Sequence, residues 1–394
     1  MLCSGNMEAT RHRCVSMANE ATGKPIYLDY NASTPIDPAV AAVMRPFLET
    51  DYGNPSSGHW ASVPAAAALE GARRQVAEFF GCTVDEIVFT SGGSEANNLA
   101  VKGLFFSRRD RPSHIVTSQI EHPAIVAPCR FLERLGATVT YVPVDGSGLV
   151  DPDDIRKAIT KDTFLISIMH ANNEIGTVQP IAEIAKIARA HGVPLHSDAA
   201  QSVGKIPTKV QELGVDLLSV AGHKVYAPKG IGALYIRRGI AIEPLIHGAG
   251  HERGRRAGTE SALLAAGLGK ACEVAQSWIG MPATQRLRDL FWDRLRAAFG
   301  DRVALNGHPH RHLPNTLNVS FAGHVGAEIL AEMPNVAAST GSACHSGEIT
   351  LSPVLEAMGI APEIGMGAIR FSLGRGTTQD EVEGVVDQLR RVLA

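Results

Sequence analysis

Between residues 85 and 240 short β-branched runs alternate with longer amphipathic stretches, and that alternation restricts the chain to a sheet covered by helices on both faces. EIVFT precedes SEANNLAVKGLFF, SHIVTSQ precedes PAIVAPCRFLERLG, and TVTYVPV precedes DPDDIRKAIT. The order continues through TFLISIMH, PIAEIAKIARAHG, VPLHSDAA, VDLLSVAG and GIGALYIR, which predicts a mostly parallel α/β sheet. Ligands of such sheets sit beyond the carboxyl ends of the strands. Polar residues follow the predicted strands at those places: Gly92, Gly93 and Ser94; Glu121 and His122; Asn172 and Asn173; Asp198 and Gln201; His223 and Lys224. Packing alone does not account for polar groups at so many strand ends.

At 394 residues the chain exceeds what one hydrophobic core usually serves, so two units are expected. The alternating region assigns 25–261 to a large domain. From 262 the pattern changes to SALLAAGLGKACEVAQ, then NTLNVSF and a last helix over 379–394. This predicts a smaller α+β domain over 262–394, with 25–50 packing on it. Residues 1–24 contain Arg11 and Arg13 but no apolar segment of a secretory signal, and are expected to form a disordered extension.

The net charge is −3 and Lys and Arg are scattered, so there is no basic stripe for nucleic acid or an anionic membrane. A small-molecule partner is the expectation. No apolar run is long enough to span a bilayer. The six cysteines lie far apart without a CxxC pair, which argues against a disulfide framework or structural zinc and for reduced thiols in the cytoplasm. His308, His310 and His312 in GHPHRH read as a Pro-containing surface loop, and no metal is expected.

Four segments carry candidate chemistry. VFTSGGSEANN sets a glycine-rich turn between a strand and a helix start, where free N–H groups and the helix dipole favour a phosphate; alone, it equally suits Ser94 as an N-cap without a ligand. HSDAAQSVGK ends a buried strand in Asp198, a carboxylate that needs a positive partner such as a pyridinium nitrogen, a core Arg or a helix to cap. AGHKVYAPKG places Lys224 in a Gly- and Pro-rich loop after a strand, where an amine can bond an aldehyde and, beside a cation, serve as a base. TGSACHSGEITLSPVL sets Cys344 in a loop of small residues, where it reads as a buried small hydrophobe or as a nucleophile helped by His345.

The chain resembles the fold-type I pyridoxal phosphate enzymes of the class V aminotransferase group, and within them the cysteine desulfurases and selenocysteine lyases. The resemblance rests on YLDYNASTP, GNPSS, TSGGSEANN, EHPAI, ANNEIGTVQP, HSDAAQSVGK and GHKVYAPKGIGALY, then HGAGHERGRRAGTE, LPNTLNVSF, STGSACHSG and AIRFSLGR, in the family's order. It implies a seven-stranded large domain, a smaller α+β domain and pyridoxal 5′-phosphate as cofactor. Lys224 would bond the cofactor, Asp198 face its ring nitrogen, Gln201 its ring hydroxyl and His122 its ring face. Gly93, Ser94 and His223 would hold the phosphate, and Thr259 would reach the phosphate of the partner subunit in a homodimer. Asn173 and Arg370 would bind substrate, with Asn173 also beside the cofactor, and Cys344 would take sulfur and pass it to an acceptor protein. The loop over 253–256, with Arg253, Arg255 and Arg256, would meet the partner subunit. The implied reaction converts L-cysteine to L-alanine; selenocysteine lyase is the near alternative, and an aminotransferase or epimerase a more distant one. The desulfurase branch usually has Ser where this chain has Ala221, which removes one expected phosphate hydrogen bond.

Overall fold

The computed structural model describes residues 24–108, 112–340, 342–345 and 348–394, with the backbone alone for 342–345 and 348–349. The extension expected over 1–24 therefore lies, except for Lys24, outside the described residues. After the short β1 (Ile26–Tyr27) come β2 (Ile87–Thr90), β3 (His114–Ser118), β4 (Thr138–Val142), β5 (Thr163–Ser167), β6 (Leu195–Asp198), β7 (Leu217–Ala221) and β8 (Gly232–Ile236). The last seven form one sheet in the order β2-β8-β7-β6-β5-β3-β4. β8 runs antiparallel to both neighbours, and every other pair is parallel. The carboxyl ends of β2, β3, β5, β6 and β7 consequently open on one edge, as the sequence predicts.

Successive residues in these strands feed opposite cores. Phe89, Val116, Ile166, Leu218 and Tyr235 pack with the helices Val63–Phe80, Ile181–Ala190 and Ala262–Ala275. Their neighbours Val88, Ile115, Leu165, Leu217 and Leu234 pack on the other face with the helices Gly93–Phe106 and Pro123–Glu133. Period-two alternation with both positions apolar is the signature of a sheet buried on two sides.

A second sheet follows. β9 (Val303–Asn306), β10 (Thr316–Phe321), β11 (Val336–Ala337), β12 (Ser339–Thr340), β13 (Ser342–His345), β14 (Glu348–Leu351) and β15 (Ala368–Ser372) complete the strands. Four of them make an antiparallel sheet ordered β12-β15-β10-β9, while β13 and β14 form a separate hairpin. The helices Pro282–Phe299 and Gln379–Val392 bury Phe291, Leu295, Val382 and Leu389 against Phe321 and Phe371. Among the described residues no helix is long and apolar enough to cross a membrane.

Two details differ from the sequence-based division at 262. The helix Ala262–Ala275, expected to open the smaller unit, lies along Val63–Phe80, and its Leu268, Ala271 and Cys272 belong to the core of the large sheet. Gly269 permits that approach, because a Cβ there would meet the Ala72 Cα at 2.6 Å. The segment 25–50 is itself shared: Ile26 and Leu28 join the C-terminal core, while Val40 and Met44 join the large one.

Candidate active site

A cavity of about 570 Å³ opens at the carboxyl edge of the large sheet, and Gly93, Ser94, His122, Asn173, Asp198, Gln201, His223, Lys224 and Arg370 all line it. Residues predicted from segments up to 277 positions apart are thus gathered around one space.

The fixed wall comes from β6 and β7. Asp198, the last residue of β6, is 5% exposed. Its carboxylate accepts from Asn97 Nδ2 at 2.6 Å and from the backbone N–H of Ala200 at 2.9 Å. No described side chain forms an ion pair with it. A buried carboxylate with two neutral donors and no protein cation matches a cationic ring nitrogen as ligand.

Lys224 follows β7 on a short turn, and its Nζ donates to the carbonyl oxygens of Asn31 at 2.5 Å and Ala32 at 2.8 Å. Burial lowers its pKa to about 8; Arg370 adds to the lowering, and Asp29 and Asp198 oppose it. About a tenth of the amine is therefore neutral at pH 7, far more than at an ordinary lysine, and attack on an aldehyde or removal of a proton requires that form.

His122 caps the helix Pro123–Glu133, where its Nδ1 accepts from the Ala124 N–H at 3.0 Å. That bond leaves the proton of the neutral ring on Nε2. Desolvation by the walls, with help from Lys224, lowers the ring pKa against the pull of Asp198. Burial, Lys224 and Lys229 bring His223 down to about 4.

The wall with the donors a phosphate could use is the start of Gly93–Phe106. Its N-cap is Gly92 at φ 151°, so Ser94 lies inside the first turn and is not the cap. The first-turn N–H groups lack helical partners by construction. A Cβ on Gly93 would sit 3.1 Å from the Ala221 Cβ, so the small side chain at 221 and the glycine at 93 fit each other.

Arg370, on β15, crosses from the other sheet. Its NH2 donates to Asp29 Oδ1 at 2.6 Å and Ser339 Oγ at 2.8 Å, and its NH1 to the Asn173 carbonyl at 2.9 Å. Nε is buried and has no partner. Arg370 lines the cavity, and a guanidinium there suits an incoming carboxylate.

A match to the family described as aminotransferase class-V covers residues 26–385. Cysteine desulfurase IscS of Dictyoglomus turgidum is 48% identical over 94% of this chain and 95% of its own. The chain belongs to the cysteine desulfurases of that family. Among solved structures similar to this desulfurase-family chain, a NifS-like protein has a TM-score of 0.87 at 35% identity, covering 94% of this chain and 99% of its own. Another, SspA in complex with cysteine, has a TM-score of 0.79 at 39% identity, covering 88% of this chain and 98% of its own.

One predicted residue, Thr259, stands apart from the cavity. Thr259 is exposed and lines a neighbouring cleft of about 190 Å³, which shares Ser91, Gly230 and Ile231 with the main one. Cys344 lies on β13, paired across the hairpin with Ile349, and its side chain is outside the described ones. The arginine-bearing loop is tied to its own chain: Arg256 pairs with Glu95 at 3.0 Å and Arg255 donates to the Asp85 carbonyl at 2.7 Å. Beneath it Arg73 and Glu252 form a buried two-pronged ion pair, and Glu252 adopts φ 48° to reach it. Among the described residues no cluster of three metal-ligating side chains occurs. His308 Nδ1 instead accepts from the backbone N–H groups of His310 and Arg311.

Several contributors lay within the quoted motifs without an assigned part. Asn97 orients Asp198, Asp29 pairs with Arg370, and Asn31 holds Lys224. Glu174 accepts from Ser352 Oγ at 2.5 Å, linking the Asn173 loop to the residue after β14. Burial raises the Glu174 pKa. The one sequence signal for these residues is their position inside polar motifs at strand ends.

Proposed function

We propose that this chain is a pyridoxal 5′-phosphate-dependent cysteine desulfurase that converts L-cysteine to L-alanine and retains the sulfur on Cys344. The observation carrying the proposal is the pairing, in one cavity, of a half-buried Lys224 amine and a buried Asp198 carboxylate without a protein counter-ion.

Lys224 would bond the cofactor, Asp198 face its ring nitrogen, and Gln201 its ring oxygen, with Gly93, Ser94 and His223 around the phosphate. When bound, pyridoxal phosphate supplies an electron sink for charge at the substrate α-carbon. Arg370 and Asn173 hold the amino acid by its carboxylate, which brings the α-hydrogen to Lys224. The Lys224 amine, lowered to about 8, takes that proton. His122 lines the same cavity and, with Nδ1 taken by the Ala124 N–H, keeps Nε2–H for proton traffic. The Cys344 thiolate attacks the substrate sulfur; the carbon–sulfur bond breaks, alanine departs and a persulfide stays on Cys344. An acceptor protein then takes that sulfur for iron–sulfur cluster assembly or thio-modification.

A homodimer completes the reading, with Thr259 of each protomer directed to the phosphate of the other. Trp60, at 82% exposed, and Tyr52, at 83%, supply apolar surface that a second copy would cover. The relatives give the selenocysteine alternative no support.

The test is mass spectrometry of the pyridoxal phosphate-loaded protein after exposure to L-cysteine. A gain of one sulfur atom on Cys344, lost in Lys224→Ala together with the cofactor's visible absorption band, is the expected result. Unchanged alanine production by Cys344→Ala would remove the thiol from the reaction.

A further inference from the structure

Lys205 is a charged-type residue at only 6% exposure that the reaction above does not use. It follows Gln201 by one helical turn's spacing, and its Nζ donates to Gln201 Oε1 at 2.9 Å and to Asn31 Oδ1 at 2.9 Å. No described carboxylate pairs with it. The charged groups that face it are cations, Lys224 and Arg370, and with burial they hold its pKa well below the ordinary lysine value. A neutral amine has two N–H bonds, and there are two acceptors.

Both acceptors touch the cofactor-bearing region. With Oε1 committed to Lys205, Gln201 turns Nε2 toward the Asn31 carbonyl, 2.9 Å away. That same carbonyl receives Lys224 Nζ. The Asn31 side chain is locked from the opposite side: Oδ1 also accepts from Asn315 Nδ2 at 3.1 Å, and Nδ2 donates to Thr316 Oγ1 at 2.8 Å. Two lysines therefore bear on one asparagine, Lys205 on its side chain and Lys224 on its backbone.

We propose that Lys205 is a positioning residue: through Asn31 and Gln201 it fixes where the Lys224 amine stands and which end of the Gln201 amide faces the cavity. This inference rests on the reading of Lys224 as the cofactor-bearing residue. Without the Lys205 donor the Gln201 amide is free to turn by half a rotation, exchanging an N–H for an oxygen at the cavity wall. The surrounding charges on Lys224 are left in place: Arg370 on β15, Asp29 near β1, Asp198 on β6, and the rings of His122 and His223.

Lys205→Met keeps length and removes the donor. In the full-length protein loaded with pyridoxal 5′-phosphate, the visible band persists because Lys224 remains. Its pH midpoint shifts by roughly half a unit or more, and its circular dichroism falls as the ring is held less asymmetrically. Turnover drops about tenfold while KM for cysteine stays within about twofold, the loss of two buried hydrogen bonds acting on positioning. Lys205→Gln, which keeps a donor group on a shorter side chain, falls between, and it carries the test if the methionine variant does not fold. A variant that is merely less stable, with the wild-type midpoint and dichroism, overturns the proposal. A wild-type protein with no visible band removable by Lys224→Ala sinks the parent reading and this one with it; a band present and unaltered in the Lys205 variants sinks this one alone.

Discussion

The two charged ends of the cavity are built on opposite plans. Asp198 belongs to the parallel sheet and is held by an amide and a backbone N–H, with no cation from the described chain. Arg370 belongs to the antiparallel sheet and is already paired with Asp29, with two of its five guanidinium N–H bonds left without a described partner. The first end waits for a positive charge that the protein does not supply, which suits a resident group. The second is stable by itself and keeps spare N–H bonds, which suits a ligand that comes and goes. Burial of a lone charge is costly and burial of a paired one much less so, so the two ends should respond differently to mutation.

The most severe loss is expected at the uncompensated end. Asp198→Asn keeps the shape and removes the charge that would face the ring nitrogen, a change of about 3–5 kcal/mol for breaking a buried charge pair. Turnover of cysteine should fall roughly a thousandfold, with the far-ultraviolet dichroism unchanged. A fall below tenfold would mean that Asp198 faces no cation. At the paired end, Arg370→Lys retains charge but loses the planar fork, and kcat/KM should fall by about 10- to 100-fold. That loss should appear mostly in KM; a loss confined to kcat would contradict carboxylate binding there. Asn97→Ala, which removes one donor from Asp198, should cost only about 1 kcal/mol, read as a severalfold fall in kcat.

Much of this arrangement is legible in the sequence because it follows from strand ends. A parallel sheet delivers the residue after each strand to the same edge, so Asp198, His122 and Lys224 converge as soon as the alternation is read. The second sheet obeys no such rule. Arg370 sits mid-strand on β15, and the resemblance alone singled it out. Asn31 and Lys205 are invisible to pattern reading for another reason: their importance lies in which atoms they touch, across 193 positions for Asn31 and Lys224 and 285 for Asn31 and Thr316. The helix Ala262–Ala275 joins the core of the large sheet and not the smaller unit that the sequence predicts, for a similar cause. Its apolar face says that it is buried but not against which sheet, and only the close approach to Val63–Phe80 decides.

The comparison of the two ends can be sharpened at the amine between them. In the protein without cofactor, Lys224 reacts with an aldehyde only as the free base, so capture of pyridoxal phosphate should rise with pH and reach half its maximum near 8. Arg370 lowers this value and Asp29 raises it. Replacing Arg370 with Gln removes a nearby positive charge, makes the ammonium easier to keep and moves the midpoint up by roughly half a unit. Asp29→Asn removes the opposing charge and should move it down by a comparable amount. The two shifts have opposite signs although the residues are partners in one ion pair, so a general disturbance of that pair, which would move both variants the same way, is excluded by the sign alone. Equal displacement in one direction would show that Lys224 responds to the packing of β15 and not to its charge.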